Sequence, residues 1–289
     1  MPEESLHSLN LLYWYASEDQ QWRDEIDLHF HDLKRHCHIT KVLDRVLSPS
    51  MAEDESLLAQ LRNTHLVLVL VSTHFKAAHA VPLPEVRKSL EWLRWSGDCL
   101  VIALLLEKVD WDGTPFGSRD VLPTDARPIT EWPSRDQAFQ DSERGMRRAI
   151  EKRWLIRGDW LFQETHDYDE ALEAYNEALR LDLSSKWAWY GKGNALANLD
   201  TPRYEEALGA YDEALLLDPA FSWAWYCKGV AFAGLKRYDE ALKAYDEALL
   251  LEPSHTHTWY WKGEALKALG RSREARQTKR QARQLGWPF

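Results

Sequence analysis

Short runs of apolar residues alternate, in the first half of the chain, with segments in which apolar and charged residues recur at helical spacing. The runs are Leu9 to Tyr15, Ile39 to Leu43, Leu66 to Val71 and Leu100 to Leu106. Unbroken apolar runs of this length are typical of strands buried on both faces, and strands that alternate with helices form a parallel sheet. The pattern therefore predicts a three-layer α/β domain over residues 1–150.

Two of the intervening segments have the spacing of amphipathic helices, namely Glu18 to Arg35 and Glu85 to Trp95. The stretch Asp110 to Pro128 is rich in Pro, Gly and Asp and is predicted to be a loop. In open α/β sheets, ligands bind beyond the carboxyl ends of the strands. Candidate site residues are therefore expected in the segments that follow the strands.

The second half, residues 151–289, repeats itself. Tyr168 to Tyr175 (YDEALEAY) returns as Tyr204 to Tyr211 (YEEALGAY) and again, 34 residues later, as Tyr238 to Tyr245 (YDEALKAY). These units resemble the helix-turn-helix unit of tetratricopeptide (TPR) repeats, in which small and large residues pack between two antiparallel helices. The resemblance implies an all-α solenoid of about four repeats, the last of them degenerate, with an arginine-rich capping helix.

Aromatic residues occupy two recurring sets of positions in these repeats. The packing position of the repeat holds Trp154, Trp189, Trp225 and Trp259. A second set lies on the helix face that lines the concave groove in TPR proteins. Its members are Trp187, Tyr190, Trp223, Tyr226 and Tyr260. Aromatic anchors of this kind suit the binding of a peptide or a protein. Packing between domains and self-association are alternative uses of the same surface.

Bulk properties exclude several classes of function. The formal net charge is −10 and both halves are acidic, which disfavours a nucleic-acid partner. Three cysteines without paired spacing, and a start that lacks a basic and apolar signal, indicate a cytoplasmic protein. The apolar runs are far shorter than the ~20 residues that cross a bilayer, so no membrane partner is expected.

Sequence motifs for metal and nucleotide-triphosphate chemistry are also missing. The histidines between His29 and His38 lack the spacing of a metal site, and the chain has neither a P-loop nor the serine elbow of a hydrolase. No metal and no bound cofactor are therefore expected.

Four segments of the first half resemble, in the same order, landmarks of bacterial TIR domains (Toll/interleukin-1 receptor-like). They are Leu11 to Asp19, Asp44 to Pro49, Leu70 to Phe75 and Trp111 to Gly117. The resemblance implies a flavodoxin-like α/β domain with a five-stranded parallel sheet. In many members this domain cleaves NAD at the nicotinamide–ribose bond with one glutamate, and Glu85 is the residue that matches it.

One carboxylate is sufficient for this reaction because nicotinamide leaves from a cationic ring without being protonated, and the main requirement is to stabilise an oxocarbenium-like ribose. The resemblance also implies that Tyr15, Asp44 and Val81 shape the pocket for NAD, which is a substrate here and not a cofactor. Ordinary structural roles are the alternatives. Glu85 would then favour the start of its helix, Tyr15 would pack at a strand end, and Asp44 would cap a loop.

Together the two halves predict an assembly-activated bacterial defence effector that hydrolyses NAD, with repeats that provide recognition or oligomerisation. Self-association of the TIR-like domains is expected through the loop Arg45 to Asp54. The alternative is a catalytically silent scaffold that mediates protein–protein interaction, indicated by Trp14, Val81 and two nearby prolines, where active members usually have other residues. A nucleotide sensor that binds NAD without cleaving it is a third interpretation.

Overall fold

The computed structural model describes residues 8–47, 61, 63–77, 98–109 and 121–288. The chain forms two compact units, Met1–Arg157 and Gly158–Phe289, and their boundary falls within one long helix.

The described residues of the first unit contain a five-stranded parallel sheet. Its strands are β1 (Leu9–Ala16), β2 (Ile39–Leu47), β3 (Leu66–Val71), β4 (Leu100–Leu105) and β5 (Val121–Leu122). The order across the sheet is β2-β1-β3-β4-β5, and every neighbouring pair is parallel. Strands β3 and β4 are buried along their whole length, as expected when both faces of a parallel sheet are covered.

One core cluster lies on a single face of this sheet. It combines Leu12 and Trp14 of β1 with Val67 and Val69 of β3 and Val101 of β4. Alternate residues of a strand point to the same face, which explains why these positions meet. Trp14 is 3% exposed and therefore belongs to the core.

The helices described in this unit are α1 (Gln20–His29), α2 (His31–His36), α3 (Thr73–Ala77) and α4 (Arg135–Trp160). The single helix predicted over Glu18 to Arg35 is divided at Phe30, which is fully buried and whose N–H donates to the carbonyl of Ile26 at 2.9 Å. Burial of this ring accompanies the break between α1 and α2.

Two further boundaries differ from the sequence pattern. Strand β2 extends beyond Leu43 to Leu47 because its pairing with β1 continues to the end of that strand. Asp44 therefore lies inside β2, opposite Tyr13, and not at the end of the strand. The predicted loop Asp110 to Pro128 contains β5, which pairs with β4. The helix predicted over Glu85 to Trp95 lies outside the described residues, as do residues 48–60 and the landmark Trp111 to Gly117.

The second unit is a succession of antiparallel helix pairs. After the last turn of α4 and a π-helical turn (Leu161–Thr165), the helices are α5 (Tyr168–Leu181), α6 (Lys186–Asn198), α7 (Tyr204–Leu217), α8 (Ser222–Gly234), α9 (Tyr238–Leu251), α10 (Thr256–Ala268) and α11 (Ser272–Gln284). In this succession α6, α8 and α10 are the first helices of their repeats, and α7, α9 and α11 are the second.

On α6 and on α8, a glycine contacts a tyrosine of the following helix. A Cβ atom at Gly193 would lie 2.5 Å from the ring of Tyr211, and one at Gly229 would lie 2.5 Å from the ring of Tyr245. Both tyrosines are buried. Because only glycine leaves room for the ring, this small–large contact sets the distance between the two helices.

Three tryptophans at the packing position form hydrogen bonds within their own repeats. The indole N–H groups of Trp189, Trp225 and Trp259 donate to backbone carbonyls six residues earlier, at 2.9, 3.1 and 2.8 Å. A lysine three residues later lies over each ring, 5.1 to 5.6 Å from its centroid. These contacts assign the three indoles to the scaffold.

Candidate functional site

A stripe of residues repeats along the first helices of the second unit, and we call it the aromatic face. Positions separated by three and seven residues lie on one side of a helix, and the stripe recurs after 36 and then 34 residues. Its members are Trp187, Tyr190 and Asn194 of α6, Trp223, Tyr226 and Val230 of α8, and His257, Tyr260 and Glu264 of α10.

The two tryptophans of the aromatic face are its exposed apolar members. Trp187 is 56% exposed and Trp223 is 45% exposed, whereas Tyr190, Tyr226 and Tyr260 are half-buried. All five are the residues predicted to bind a partner. A recurring exposed indole is a costly surface feature that is typical of interaction sites.

Each exposed tryptophan is held by the aromatic residue that precedes the next first helix. The ring of Trp187 lies edge-on to Phe221 at 4.8 Å, and the ring of Trp223 lies edge-on to His255 at 4.5 Å. Tyr190 lies 5.0 Å from Phe221, completing the first group of three rings. Edge-to-face contacts favour one orientation of the indoles, so little conformational entropy remains to be lost when a ligand binds.

The α10 part of the aromatic face differs from the other two. His257 takes the place of the tryptophan, and Trp287 covers it at 4.7 Å. Trp287 also stacks on Tyr260, with a centroid distance of 4.8 Å and an interplanar angle of 23°. Tyr260 is therefore covered by this tryptophan, whereas Trp187 and Trp223 face solvent.

Sequence reasoning missed Phe221, His255 and Trp287 because they lie outside the helical stripe. The only signal was the recurrence of a ring-bearing residue immediately before α8 and α10.

Two lysines beside the aromatic face are paired with carboxylates. Lys186 forms an ion pair with Asp218 at 2.6 Å while its Nζ lies 5.5 Å from the ring of Trp187. Lys279 pairs with Glu264 and lies 5.3 Å from the ring of Tyr260. These cations have internal counter-ions, so they give the surface little net charge with which to select a ligand.

Two of the half-buried tyrosines of this surface, Tyr190 and Tyr226, are held in the neutral form by their surroundings. Burial raises the pKa of Tyr190 and Tyr226 above the ordinary value, and the thiol of Cys227 donates to Oη of Tyr190 at 3.8 Å. Burial also raises the pKa of Cys227 to about 12, which makes this thiol unreactive at neutral pH.

In the first unit, the two described residues of the predicted NAD pocket already have partners. Tyr15 is 1% exposed, and its hydroxyl donates to Oε1 of Gln20 at 2.7 Å. Arg23 donates to both oxygens of Asp44, at 2.7 and 3.1 Å. Burial, and then Asp44, raise the pKa of Tyr15, so the two residues are electrostatic neighbours. Val81 and Glu85 lie outside the described residues.

A polar cluster that sequence reasoning did not select lies where β1 and β3 end. The hydroxyl of Ser72 donates to Oδ2 of Asp19 at 2.5 Å, and Nδ1 of His74 lies 3.5 Å from Oδ1. Asp19 and Ser72 are buried. Burial raises the pKa of Asp19, while Ser72 and His74 oppose that rise. All three residues lie in the segments Leu11 to Asp19 and Leu70 to Phe75 and follow buried strands, but the sequence did not show that their side chains meet.

Within the described ranges, no group of three or more His, Cys, Asp or Glu side chains is arranged to hold a metal ion. None of the helices seen there is both long enough and apolar enough to span a membrane.

Family models for the tetratricopeptide repeat match residues 160–221 and 222–255. These residues form tetratricopeptide repeats. The chain is also 29% identical, over 140 residues, to the uncharacterized protein y4lF of Sinorhizobium fredii (strain NBRC 101917 / NGR234). That match covers 48% of this chain and 43% of the relative, so the chain spans less than half of the relative's length.

Several solved structures are similar to this chain at low identity. The crystal structure of MamA is 20% identical with a TM-score of 0.44, and the match covers 52% of this chain and 87% of MamA. The first TPR of Spaghetti (RPAP3), solved with the HSP90 peptide SRMEEVD, is 22% identical with a TM-score of 0.40. That match covers 42% of this chain and 93% of the other. The Arabidopsis OM64 TPR domain is 22% identical with a TM-score of 0.39, covering 40% of this chain and 94% of that domain.

Proposed function

We propose that the protein is an interaction scaffold whose aromatic face binds a polypeptide partner. The observation that carries this proposal is the pair of exposed indoles, Trp187 and Trp223, each fixed edge-on by the ring that precedes the next repeat. Stacked repeats present extended surfaces that suit polypeptide ligands. Rigid aromatic anchors contribute most of the affinity at such interfaces.

The experiment uses the full chain and an array of blocked peptides of random sequence, about twelve residues long, a length chosen to reach from repeat to repeat. Dissociation constants of the captured peptides are then measured by fluorescence anisotropy. Combined substitution Trp187→Ala and Trp223→Ala should weaken binding by about thirtyfold or more, since each lost anchor costs about 1 kcal/mol or more.

The matched control is the pair Leu216→Ala and Leu250→Ala. Both leucines are 76% exposed, but they lie on the second helices α7 and α9 and outside the aromatic face. The control should bind the same peptides with unchanged affinity. Equal binding by wild type and the double tryptophan variant, or no binding of any peptide, would contradict the proposal.

For the first unit we propose a second function, cleavage of NAD at the nicotinamide–ribose bond. Glu85 would be the catalytic carboxylate, Tyr15, Asp44 and Val81 would shape the pocket, and association of TIR-like domains would activate the enzyme. The order β2-β1-β3-β4-β5 supports this proposal because flavodoxin-like sheets share it, and they bind ligands where β1 and β3 end. The Asp19, Ser72 and His74 cluster lies at that place.

Nicotinamide release measured against protein concentration tests the second function. We expect turnover that rises steeply with concentration and disappears in Glu85→Gln, with an unchanged circular dichroism spectrum. Equal and negligible turnover by both proteins at every concentration would leave only the scaffold function.

A further inference from the structure

Beneath the aromatic face, two buried tyrosines donate hydrogen bonds to the helix that precedes their own. The hydroxyl of Tyr175 donates to Oδ1 of Asp159 at 2.8 Å, and the hydroxyl of Tyr211 donates to Oδ1 of Asn194 at 2.8 Å. Each acceptor immediately follows the glycine on which a tyrosine ring packs. The acceptor position and the tyrosine therefore form one repeating unit.

The third repeat keeps the tyrosine and lacks the acceptor. Tyr245 packs on Gly229 as Tyr211 packs on Gly193, but the residue after Gly229 is Val230, which packs against the core cluster that contains Tyr245. Tyr245 is fully buried, and its hydroxyl has no hydrogen-bond partner among the described residues. Buried hydroxyl groups are normally paired, so this one calls for an explanation.

A second buried polar atom without a hydrogen-bond partner in the described structure belongs to His255, whose ring also packs against Tyr226. His255 is 8% exposed; its Nδ1 is hydrogen-bonded to Oγ1 of Thr258, while its Nε2 contacts no hydrogen-bonding group in the described structure. The equivalent residue one repeat earlier is Phe221, which has no polar atom. The ring of Tyr226 lies 6.3 Å from the ring of Tyr245 and 5.0 Å from the ring of His255.

We propose that this part of the aromatic face receives an asparagine or glutamine side chain of the bound polypeptide, and that Tyr245 and His255 are its specificity-determining residues. The inference rests on the proposed function of the aromatic face. The carboxamide oxygen of the ligand accepts from the Tyr245 hydroxyl, as Asn194 does for Tyr211 within the chain. The half-buried ring of Tyr226 rotates to admit it, a side-chain change that is common at interfaces.

A carboxamide suits the site better than a carboxylate for two reasons. It offers both an acceptor for the Tyr245 hydroxyl and an N–H donor for Nε2 of His255, which is an acceptor when Nδ1 donates to Thr258. A carboxylate would also have to lose its hydration. Asp159, which holds the acceptor position in the first repeat, shows that effect, because burial raises its pKa.

The experiment takes peptides from the array described above and exchanges each asparagine or glutamine for leucine. Loss of one hydrogen bond to a buried hydroxyl should weaken binding to the wild-type chain about tenfold at one peptide position. Val230→Asn supplies the acceptor within the chain, and Tyr245→Phe removes the donor. Both variants should show a smaller preference for the amide peptide over the leucine peptide than the wild type, because the hydrogen bond to the Tyr245 hydroxyl is no longer gained. The matched control, Tyr211→Phe, removes a hydroxyl that is already paired and should keep the tenfold preference.

The outcomes separate this inference from the proposed function. Peptides that require Trp187 and Trp223 but show no asparagine or glutamine preference, or prefer acidic residues, overturn the inference and leave the scaffold function in place. A preference that is as large in Val230→Asn and in Tyr245→Phe as in the wild type overturns it as well. The absence of any binding peptide overturns both. If Val230→Asn does not fold, the peptide preference of Tyr245→Phe alone tests the inference, because this variant keeps the ring that packs on Gly229.

Discussion

The hydroxyl of Tyr211 donates to Oδ1 of Asn194 at 2.8 Å, whereas one repeat later the hydroxyl of Tyr245 has no hydrogen-bond partner in the described parts of the chain. The two tyrosines pack on equivalent glycines and are both buried. The two tyrosines therefore occupy equivalent positions, but only the hydroxyl of Tyr211 forms a hydrogen bond with a described residue.

This pair predicts different effects of the same substitution on stability. Tyr211→Phe should lower the free energy of unfolding by about 1 kcal/mol, because a buried hydrogen bond is lost. Tyr245→Phe should leave it unchanged within about 0.5 kcal/mol or raise it, because an unpaired polar atom is removed. Urea titrations of the full chain measure both. An equal loss in the two variants would mean that Tyr245 has a partner in solution.

Glycine substitutions should likewise act in opposite directions at different positions. Gly193→Ala places a Cβ atom 2.5 Å from the ring of Tyr211, and we expect overpacking to cost about 1–3 kcal/mol. Gly209 lies in helix α7, and a Cβ atom there would have no neighbour within 4 Å. Gly209→Ala should therefore stabilise the protein by about 0.5–1 kcal/mol through helix propensity. Thermal unfolding compares the variants, and stabilisation by Gly193→Ala would contradict the packing.

The first unit should lose stability in mild acid because of His65. Burial, and then Arg153, lower its pKa to about 4, and its Nδ1 accepts a hydrogen bond from the N–H of Asn10 at 2.9 Å. The unfolded chain binds this proton near pH 6.5, so the contribution is complete above pH 6.5. It is lost as the pH falls toward 4, by up to about 3 kcal/mol.

The control for this prediction is His65→Gln, which removes the titrating group. Unfolding free energies measured between pH 4 and 7 should decline less steeply in the variant than in the wild type. Parallel pH profiles would show that His65 does not titrate in this way.

The hydrogen bond between Ser72 and Asp19 should contribute far more to the free energy of unfolding than an exposed serine contact near the end of β1. Ser72→Ala removes the donor to the buried carboxylate and the acceptor for the N–H of Phe75, and should cost about 2 kcal/mol. Ser17→Ala removes an exposed bond to Glu18 and should change stability by less than about 0.5 kcal/mol. Denaturant titration tests the pair, and similar losses would contradict the assigned burial of Asp19.

The elements with a strong local pattern were predictable from sequence. The run Leu66 to Val71 is a strand over the predicted residues, and tetratricopeptide repeats occupy residues 160–255. Strand β5 was not predictable, because it has two residues and depends on pairing with β4. The extension of β2 that includes Asp44 depends in the same way on pairing with β1.

The candidate site shows the same division between local and nonlocal information. Helical spacing separated Trp187 and Trp223 from the packing tryptophans. The rings that hold them, Phe221 and His255, belong to the following repeat and meet them only after the helices stack. Whether a tyrosine hydroxyl is paired depends on the helix that precedes it, where Asn194 accepts from Tyr211 and Val230 offers no acceptor to Tyr245. The predicted catalytic residue, Glu85, lies outside the described residues and stays a prediction.

The most direct test of the binding surface uses the indole N–H signals of the full chain in a nuclear magnetic resonance titration with a captured peptide. Signals are assigned with single Trp→Phe variants. The signals of Trp187 and Trp223 should shift, while those of Trp189, Trp225 and Trp259, bonded to carbonyls within their own repeats, should stay in place. Shifts confined to the second group, with Trp187 and Trp223 unmoved, would contradict the assignment of the aromatic face as the binding surface.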